Sequence, residues 1–175
     1  KIGADQLADS FHRSFNLPVT ILRPFNTYGP RQSARAVIPT IMAQALAGRR
    51  DIRVGSTHTT RDFTYVKDTV EGFLRVAEVP EAIGHVLNLG VGREISVGDL
   101  VRRIGSVLGM ELSIVSEDQR KRPAASEVER LCSDNSRARA VLGWAPRFSL
   151  DEGLALTAEW LRRNLGAYKD SIYNL

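Results

Sequence analysis

A short β-branched run, Val19-Thr20-Ile21-Leu22, opens directly into the irregular segment Arg23–Gln32 (RPFNTYGPRQ), and this junction limits the fold more than any other stretch. A strand that is apolar on both faces needs cover on both, as in the parallel sheets of α/β proteins. Asn, Gly, Pro and Arg after such a strand stand at its carboxyl end, where open α/β sheets receive ligands. A second buried run, His85–Leu89, closes in the same way on Gly90 and Gly92.

Between these runs the apolar period changes to that of helices. Ala4, Leu7, Ala8, Phe11 and Phe15 recur every three or four residues and predict an amphipathic helix over residues 1–15, ended by Asn16-Leu17-Pro18. Residues 24–36 contain Pro24, Gly29 and Pro30 without a period and read as a loop. Val37–Leu46 reads as a helix with Gly48 as its C-cap, and Ile52–Val54 as a short strand before the polar loop Gly55–Thr60. Phe63–Val66 is extended, with Asp68 as the expected N-cap of a helix carrying Val70, Phe73, Leu74 and Ala77. Ser96, with Asp99 three residues on, caps a helix that buries Leu100, Ile104, Val107 and Leu108. Glu111–Ser116 alternates like a strand, residues 117–130 read as a charged loop, and a short helix near Ser136–Leu142 stops at Gly143. Ser149 and Glu152 form a capping box for a last helix containing Leu154, Trp160, Leu161 and Leu165. Helices and strands alternate, so the class is α/β. With 175 residues, 43% of them hydrophobic, the chain can bury one sizeable core in one domain or most of one.

Charge narrows the choice of ligand. The formal net charge is +4, and the basic residues fall mainly in two clusters. One holds Arg31, Arg35, Arg49, Arg50, Arg53 and Arg61; the other holds Arg120, Lys121, Arg122, Arg130, Arg137 and Arg139. Arginine grips phosphate through a fork of donors, so two such clusters suit a small phosphorylated ligand. Neither a nucleic-acid recognition motif nor interleaved exposed aromatics accompany them, which argues against a nucleic-acid partner. No apolar run approaches the roughly 18 residues of a membrane span. The N-terminus reads as an amphipathic helix rather than a signal peptide. Cys132 has no partner for an internal disulfide, which fits a cytoplasmic, reducing compartment. His12, His58 and His85 show no metal-ligand spacing. There is also no Gly-x-Gly-x-x-Gly turn after a strand, so a dinucleotide fold here would lack its phosphate-binding loop.

Several motifs carry a family likeness. RPFNTYGPRQ, the helix start Val37-Ile38-Pro39, Arg61-Asp62-Phe63 with Val66-x-Asp68, and Val86-Leu87-Asn88-Leu89-Gly90 together resemble the extended short-chain dehydrogenase/reductase family. Within it they look like the nucleotide-sugar epimerases and 4,6-dehydratases. Ser126-Glu127-Val128, Asp134-x-Ser136-Arg137-Ala138 and Leu142-Gly143-Trp144 are similar to the dehydratase side, the GDP-mannose and N-acetylglucosamine nucleotide dehydratases. The resemblance spans residues 1–175 in order. It implies the C-terminal part of a Rossmann-like fold, with the last Rossmann elements interleaved with a smaller α/β substrate-binding subdomain. The glycine-rich NAD-binding half is expected upstream of Lys1.

The same likeness implies roles for individual residues. Lys1 matches the lysine of the family's Tyr-x-x-x-Lys pair, which bonds the nicotinamide ribose and lowers the pKa of a tyrosine four residues upstream. A cation beside a phenol favours the phenolate, which can then act as a base. Pro24 and Phe25 border the nicotinamide, although Phe25 also suits a core. Asn26 donates to the sugar nucleotide near its diphosphate, or else serves as a turn residue. The backbone at Val37 meets the base or ribose, and Arg61 lies on the diphosphate, with Asp62 orienting it or capping nearby backbone. Asn88 completes the nucleotide pocket or simply ends a strand. Arg122 binds phosphate and Glu127 a ribose hydroxyl, but Arg122-Pro123 is separated from Glu127 by three residues where the family's segment is tighter. That spacing leaves Arg120 or Lys121 as substitutes. The implied activity is an NAD-dependent nucleotide-sugar 4,6-dehydratase acting as a homodimer, with this stretch alone inactive. The alternatives are a 4-epimerase of the same family and a non-catalytic nucleotide-sugar-binding module.

Overall fold

A computed structural model describes residues 1–120 and 127–168. In chain order the elements are α1 (Ile2–Phe15), β1 (Ile21–Pro24), β2 (Thr27–Tyr28), α2 (Val37–Leu46), β3 (Asp51–Val54), β4 (Thr60–Arg61) and β5 (Thr64–Tyr65). There follow α3 (Val66–Glu78), β6 (Val86–Leu89), β7 (Ile95–Ser96), α4 (Val97–Leu108), β8 (Ser113–Ser116), β9 (Arg130–Leu131), α5 (Ser136–Leu142) and α6 (Leu150–Arg163).

The strands pair over long sequence separations. β1 runs parallel to β6, with Arg23 opposite Asn88. β2 runs parallel to β5, and β3 to β8. β4 is the middle of a three-stranded ribbon, antiparallel to β7 and parallel to β9. Parallel pairing of this kind needs a crossover between partners, and the helices supply it. The protein is therefore an α/β fold with parallel sheets, as its alternating pattern requires.

Two apolar clusters divide the molecule. Around α2, α4 and α6 the buried side chains include Ile38, Ile41, Met42, Ile52, Leu100, Ile104, Leu154 and Leu161, with Tyr28 among them. Against β6 and α5 the buried set is Ala82, Leu87, Leu89, Ala138, Leu142 and Trp144. The β1–β6 pair therefore belongs to a different layer from the helices that enclose the larger core.

Helix ends follow local chemistry at several points. Ser96 Oγ accepts from the Asp99 amide at 3.0 Å, and Ser149 and Glu152 complete a reciprocal capping box. Gly143 caps α5 in the left-handed region, with φ of 61°. Other expectations need correction. Gly48 lies one residue beyond the C-cap of α2, which is Ala47. Asp68 does not cap α3, which starts at Val66 after Tyr65. Its buried carboxylate instead accepts from the amides of Arg147 (2.9 Å) and Phe148 (3.2 Å), and its carbonyl from Trp144 Nε1 at 2.9 Å. Asp68 thus satisfies backbone donors leading into α6, a long-range demand that outweighs the local one. Residues 24–36 are not wholly loop either, because Thr27-Tyr28 finds a partner in Thr64-Tyr65.

The expected inner faces of α1 and α3 are open. No residue of α1 is buried. Val70, Phe73 and Leu74 on α3, expected to face a core, are each more than half exposed. Ile2, Leu7, Phe11 and Phe15 of α1 are likewise exposed. Contiguous apolar patches of this kind mark surfaces that meet another element. No helix among the described residues is long and apolar enough to cross a membrane.

Candidate functional site

At the end of β1 the chain turns from the sheet into the β2–α2 connection, and a cleft of about 400 Å³ opens there. Asn26, Val37, Arg61 and Glu127 all line it, so four of the residues singled out by sequence come together in space. The same cleft gathers Gln32, Arg35, Arg53 and Arg120.

Asp62 organises the centre of this arrangement. It is fully buried between β4 and β5. Its carboxylate accepts from the amides of Val91 and Gly92, both at 2.9 Å, and from the Ser133 amide (3.0 Å) and hydroxyl (2.7 Å). Its backbone carbonyl accepts from Asn26 Nδ2 at 3.0 Å. One side chain thereby joins β4 to the loop after β6 and to the segment before α5, and its main chain orients Asn26. Successive residues of an extended chain point to opposite sides. Asp62 accordingly turns inward and its neighbour Arg61 turns into the cleft.

Arg61 is held by two acceptors. Nη1 donates to the Thr60 carbonyl at 2.7 Å, and Nη2 donates to Glu127 Oε1 at 2.9 Å. Both side chains of this ion pair are about 15% exposed (16% and 15%). Arg53 and Arg120 share a different carboxylate: Glu117 lies 3.2 Å from Arg53 Nη1 and accepts from Arg120 Nε at 2.6 Å. The Arg120 hydrogen bond is the main reason the Glu117 carboxyl stands below its ordinary pKa.

The charge balance of the cleft is positive. Arg35, Arg53, Arg61 and Arg120 line it, against Glu127 as the lining carboxylate. The first turn of α2 adds polar donors, for Val37 and Ile38 both line the cleft and Ala36 offers no capping side chain. Pro39, next in the turn, has no amide hydrogen to satisfy. Free helix-start amides favour anions. Gln32 contributes an acceptor: its Oε1 is buried without a hydrogen-bond partner among the described residues, while Nε2 donates to the Thr27 carbonyl at 2.8 Å. The cleft therefore presents cations and amides for an anion, with acceptors at its edge for hydroxyl groups.

The remaining candidates lie elsewhere. Lys1 is exposed at the N-cap of α1. An Arg23–Asp5 ion pair of 2.7 Å holds the first turn of that helix beside the end of β1, the end that Pro24 and Phe25 occupy. The Phe25 amide continues the β1–β6 ladder by donating to the Leu89 carbonyl at 2.9 Å. Asn88 stands apart from the cleft lining; its side chain donates to the Asp134 carbonyl at 3.1 Å. Arg122 lies outside the described residues. Arg120, an expected substitute for Arg122, lines the cleft, whereas Arg35 and Arg53 stand out in the sequence only as members of an arginine cluster. Gln32 belongs to the RPFNTYGPRQ motif without a role of its own there, and Glu117 carries no signal of spacing.

Comparisons with known proteins identify the family. Residues 1–157 match the family model described as GDP-mannose 4,6 dehydratase. UDP-glucose 4-epimerase of Mycolicibacterium smegmatis is 34% identical over 93% of this chain and 51% of its own length. A trifunctional UDP-glucose 4,6-dehydratase/3,5-epimerase/reductase of Arabidopsis thaliana is 32% identical, over 94% of this chain and 24% of its own. The crystal structure of UDP-glucuronic acid 4-epimerase from Bacillus cereus, in complex with UDP-glucuronic acid and NAD, superposes with a TM-score of 0.85. It is 27% identical, with 94% of this chain and 51% of that one covered. The chain thus spans about half the length, or less, of these relatives.

Proposed function

Since the chain belongs to the GDP-mannose 4,6 dehydratase family of extended short-chain dehydrogenases/reductases, we propose that it forms the sugar-nucleotide-binding part of an NAD-dependent nucleotide-sugar 4,6-dehydratase. The observation that carries this reading is the convergence of Arg35, Arg53, Arg61 and Arg120 with Asn26 and the start of α2 on one cleft. A diphosphate bridging ribose and sugar is a compact, doubly charged anion, and the Arg61 guanidinium offers it a forked set of donors. On binding, the diphosphate displaces Glu127 from Arg61 and leaves that carboxylate to accept from a ribose hydroxyl.

Lys1, Pro24 and Phe25 fit the nicotinamide end of the dinucleotide. Pro24 and Phe25 sit at the end of β1, beside the helix whose N-cap is Lys1, a cation that can donate to ribose hydroxyls. NAD held there would supply hydride acceptance from the sugar C4 and hydride return to C6, either side of the loss of water across C5 and C6. Lys1 stabilises the phenolate of a tyrosine one helical turn upstream, so that the C4 hydroxyl can lose its proton. The glycine-rich turn for the pyrophosphate belongs in this proposal to an upstream half, packed against the open apolar faces of α1 and α3. The whole protein is then a cytoplasmic homodimer, and the 175-residue chain alone has no NAD turnover.

A 4-epimerase is the second reading, favoured by the Mycolicibacterium smegmatis relative. The mass of the product made by the protein with its upstream half decides between them: loss of one water supports the dehydratase, an unchanged mass the epimerase. Binding is tested on the chain itself by calorimetry with UDP-, GDP- and dTDP-sugars. Arg61→Ala is expected to weaken the preferred ligand at least tenfold, and equal affinity of the two forms removes Arg61 from the clamp.

A further inference from the structure

A second cavity adjoins the cleft, with a volume of about 760 Å³, inside the range of small-molecule sites. Five arginines from four segments line it: Arg93 after β6, Arg102 and Arg103 on α4, Arg139 on α5, and Arg147 before α6. The lining carboxylates are Glu94, Asp99 and Asp151.

Pairing among these groups leaves an excess of positive charge. Asp99 is taken by Arg102 and Asp151 by Arg103. Glu94 pairs with Arg130 at 2.6 Å and accepts from the Thr60 hydroxyl at 3.0 Å, and neither residue lines this cavity. Arg147 meets only the edge of Glu71, at 3.6 Å. Among the described residues Arg93 has no ion-pair partner, and Arg139 donates through Nε to the neutral Asn135 side chain at 3.0 Å. Phe63, Phe148, Ile95 and Leu150 give the cavity apolar walls. Guanidinium groups on several sides of a walled pocket match a diphosphate, which accepts from more than one fork at once.

The geometry points to a second anion site here, one that takes a diphosphate group, either bare or carried on a nucleoside. The site adjoins the cleft. Phe63 lines both cavities, and Ile95, in the wall of the second, pairs across the β4–β7 ribbon with Arg61, in the wall of the first.

Calorimetric titration of the 175-residue chain with inorganic pyrophosphate tests the proposal, with folding of every variant checked by circular dichroism. In an Arg61→Ala background, which disables the front cleft, pyrophosphate binding is expected to persist. Adding Arg93→Ala and Arg139→Ala, both at exposed positions, is expected to weaken that remaining binding at least tenfold. ADP tighter than pyrophosphate in the same background identifies a nucleoside-borne ligand, and equal affinities a bare diphosphate; either supports the site. Complete loss of binding in Arg61→Ala alone, or remaining binding indifferent to the Arg93 and Arg139 substitutions, overturns it.

Discussion

Replacing Asp62 by Asn tests whether one buried carboxylate holds the cleft together. The carboxylate accepts four hydrogen bonds, three of them from backbone amides, and is fully buried. An asparagine of the same shape keeps one oxygen but turns an NH₂ group toward donors. If the amide oxygen remains with Val91, the nitrogen faces the donors of Gly92 and Ser133, which then lose their acceptor. Hydrogen bonds to a charged group contribute about 1.5–3 kcal/mol each, and a buried donor left unpaired costs about 1–3 kcal/mol. These terms are not additive within one network, so a loss of about 3–5 kcal/mol is expected for Asp62→Asn, comparable with breaking a buried charge pair. Ser133→Ala, which removes only the hydroxyl bond of 2.7 Å, is expected to cost about 1–2 kcal/mol by the same reasoning. Urea denaturation of both variants beside the unaltered chain gives the comparison, provided the slope with denaturant is unchanged. A loss below about 1 kcal/mol for Asp62→Asn, or one no larger than that of Ser133→Ala, refutes the view that this carboxylate carries the junction.

Two further outcomes follow from the larger core. A Cβ added at Gly153 would overlap the Tyr28 hydroxyl, whose ring is fixed by edge contacts with Phe63 and Tyr65 and by a hydrogen bond to the Leu150 carbonyl, so Gly153→Ala is expected to lower stability by about 1–3 kcal/mol in thermal or urea unfolding. Burial, above all, raises the Tyr28 phenol pKa well above its ordinary value, with the charges of Asp68, Asp151 and Glu152 adding to the effect. A phenol whose folded pKa exceeds the unfolded value of about 10 gives its full stabilisation below that pH and loses it as the pH rises. Stability is therefore expected to fall above about pH 10, and Tyr28→Phe to flatten that fall; an identical alkaline profile in the variant would falsify the assignment.

What was legible in the sequence is what short-range chemistry decides. The Ser149–Glu152 box and the Ser96 cap form as their spacing requires, because both partners lie within one turn. The run Val19–Leu22 does pair in parallel, but the strand begins only at Ile21, ends at Pro24 and is half-buried at Ile21 and Leu22 and exposed at Arg23 and Pro24, so the double-sided cover that its apolar residues led one to expect is not supplied by the described residues. Asp68 shows where that reasoning fails: locally it resembles a cap, but the amides of Arg147 and Phe148, far along the chain, claim it. The open faces of α1 and α3 fail differently. Their period identifies a face that needs a partner without showing that these residues contain one.

The cleft combines both kinds of information. Asn26 is visible because it follows the apolar run that ends at Leu22, and Arg61 because the Arg61-Asp62 pair resembles the family's motif. Their convergence was not visible, since it depends on contacts between segments dozens of residues apart. Asp62 supplies the link: its carbonyl holds the Asn26 amide, its carboxylate fastens the loops at Gly92 and Ser133, and strand alternation then directs Arg61 the opposite way. The Arg-Asp pair is thus one device. The buried acid fixes the backbone, and the fixed backbone aims the guanidinium, so the two residues are expected to fail together: Asp62→Asn that remains folded should lose sugar-nucleotide affinity although its Arg61 is intact.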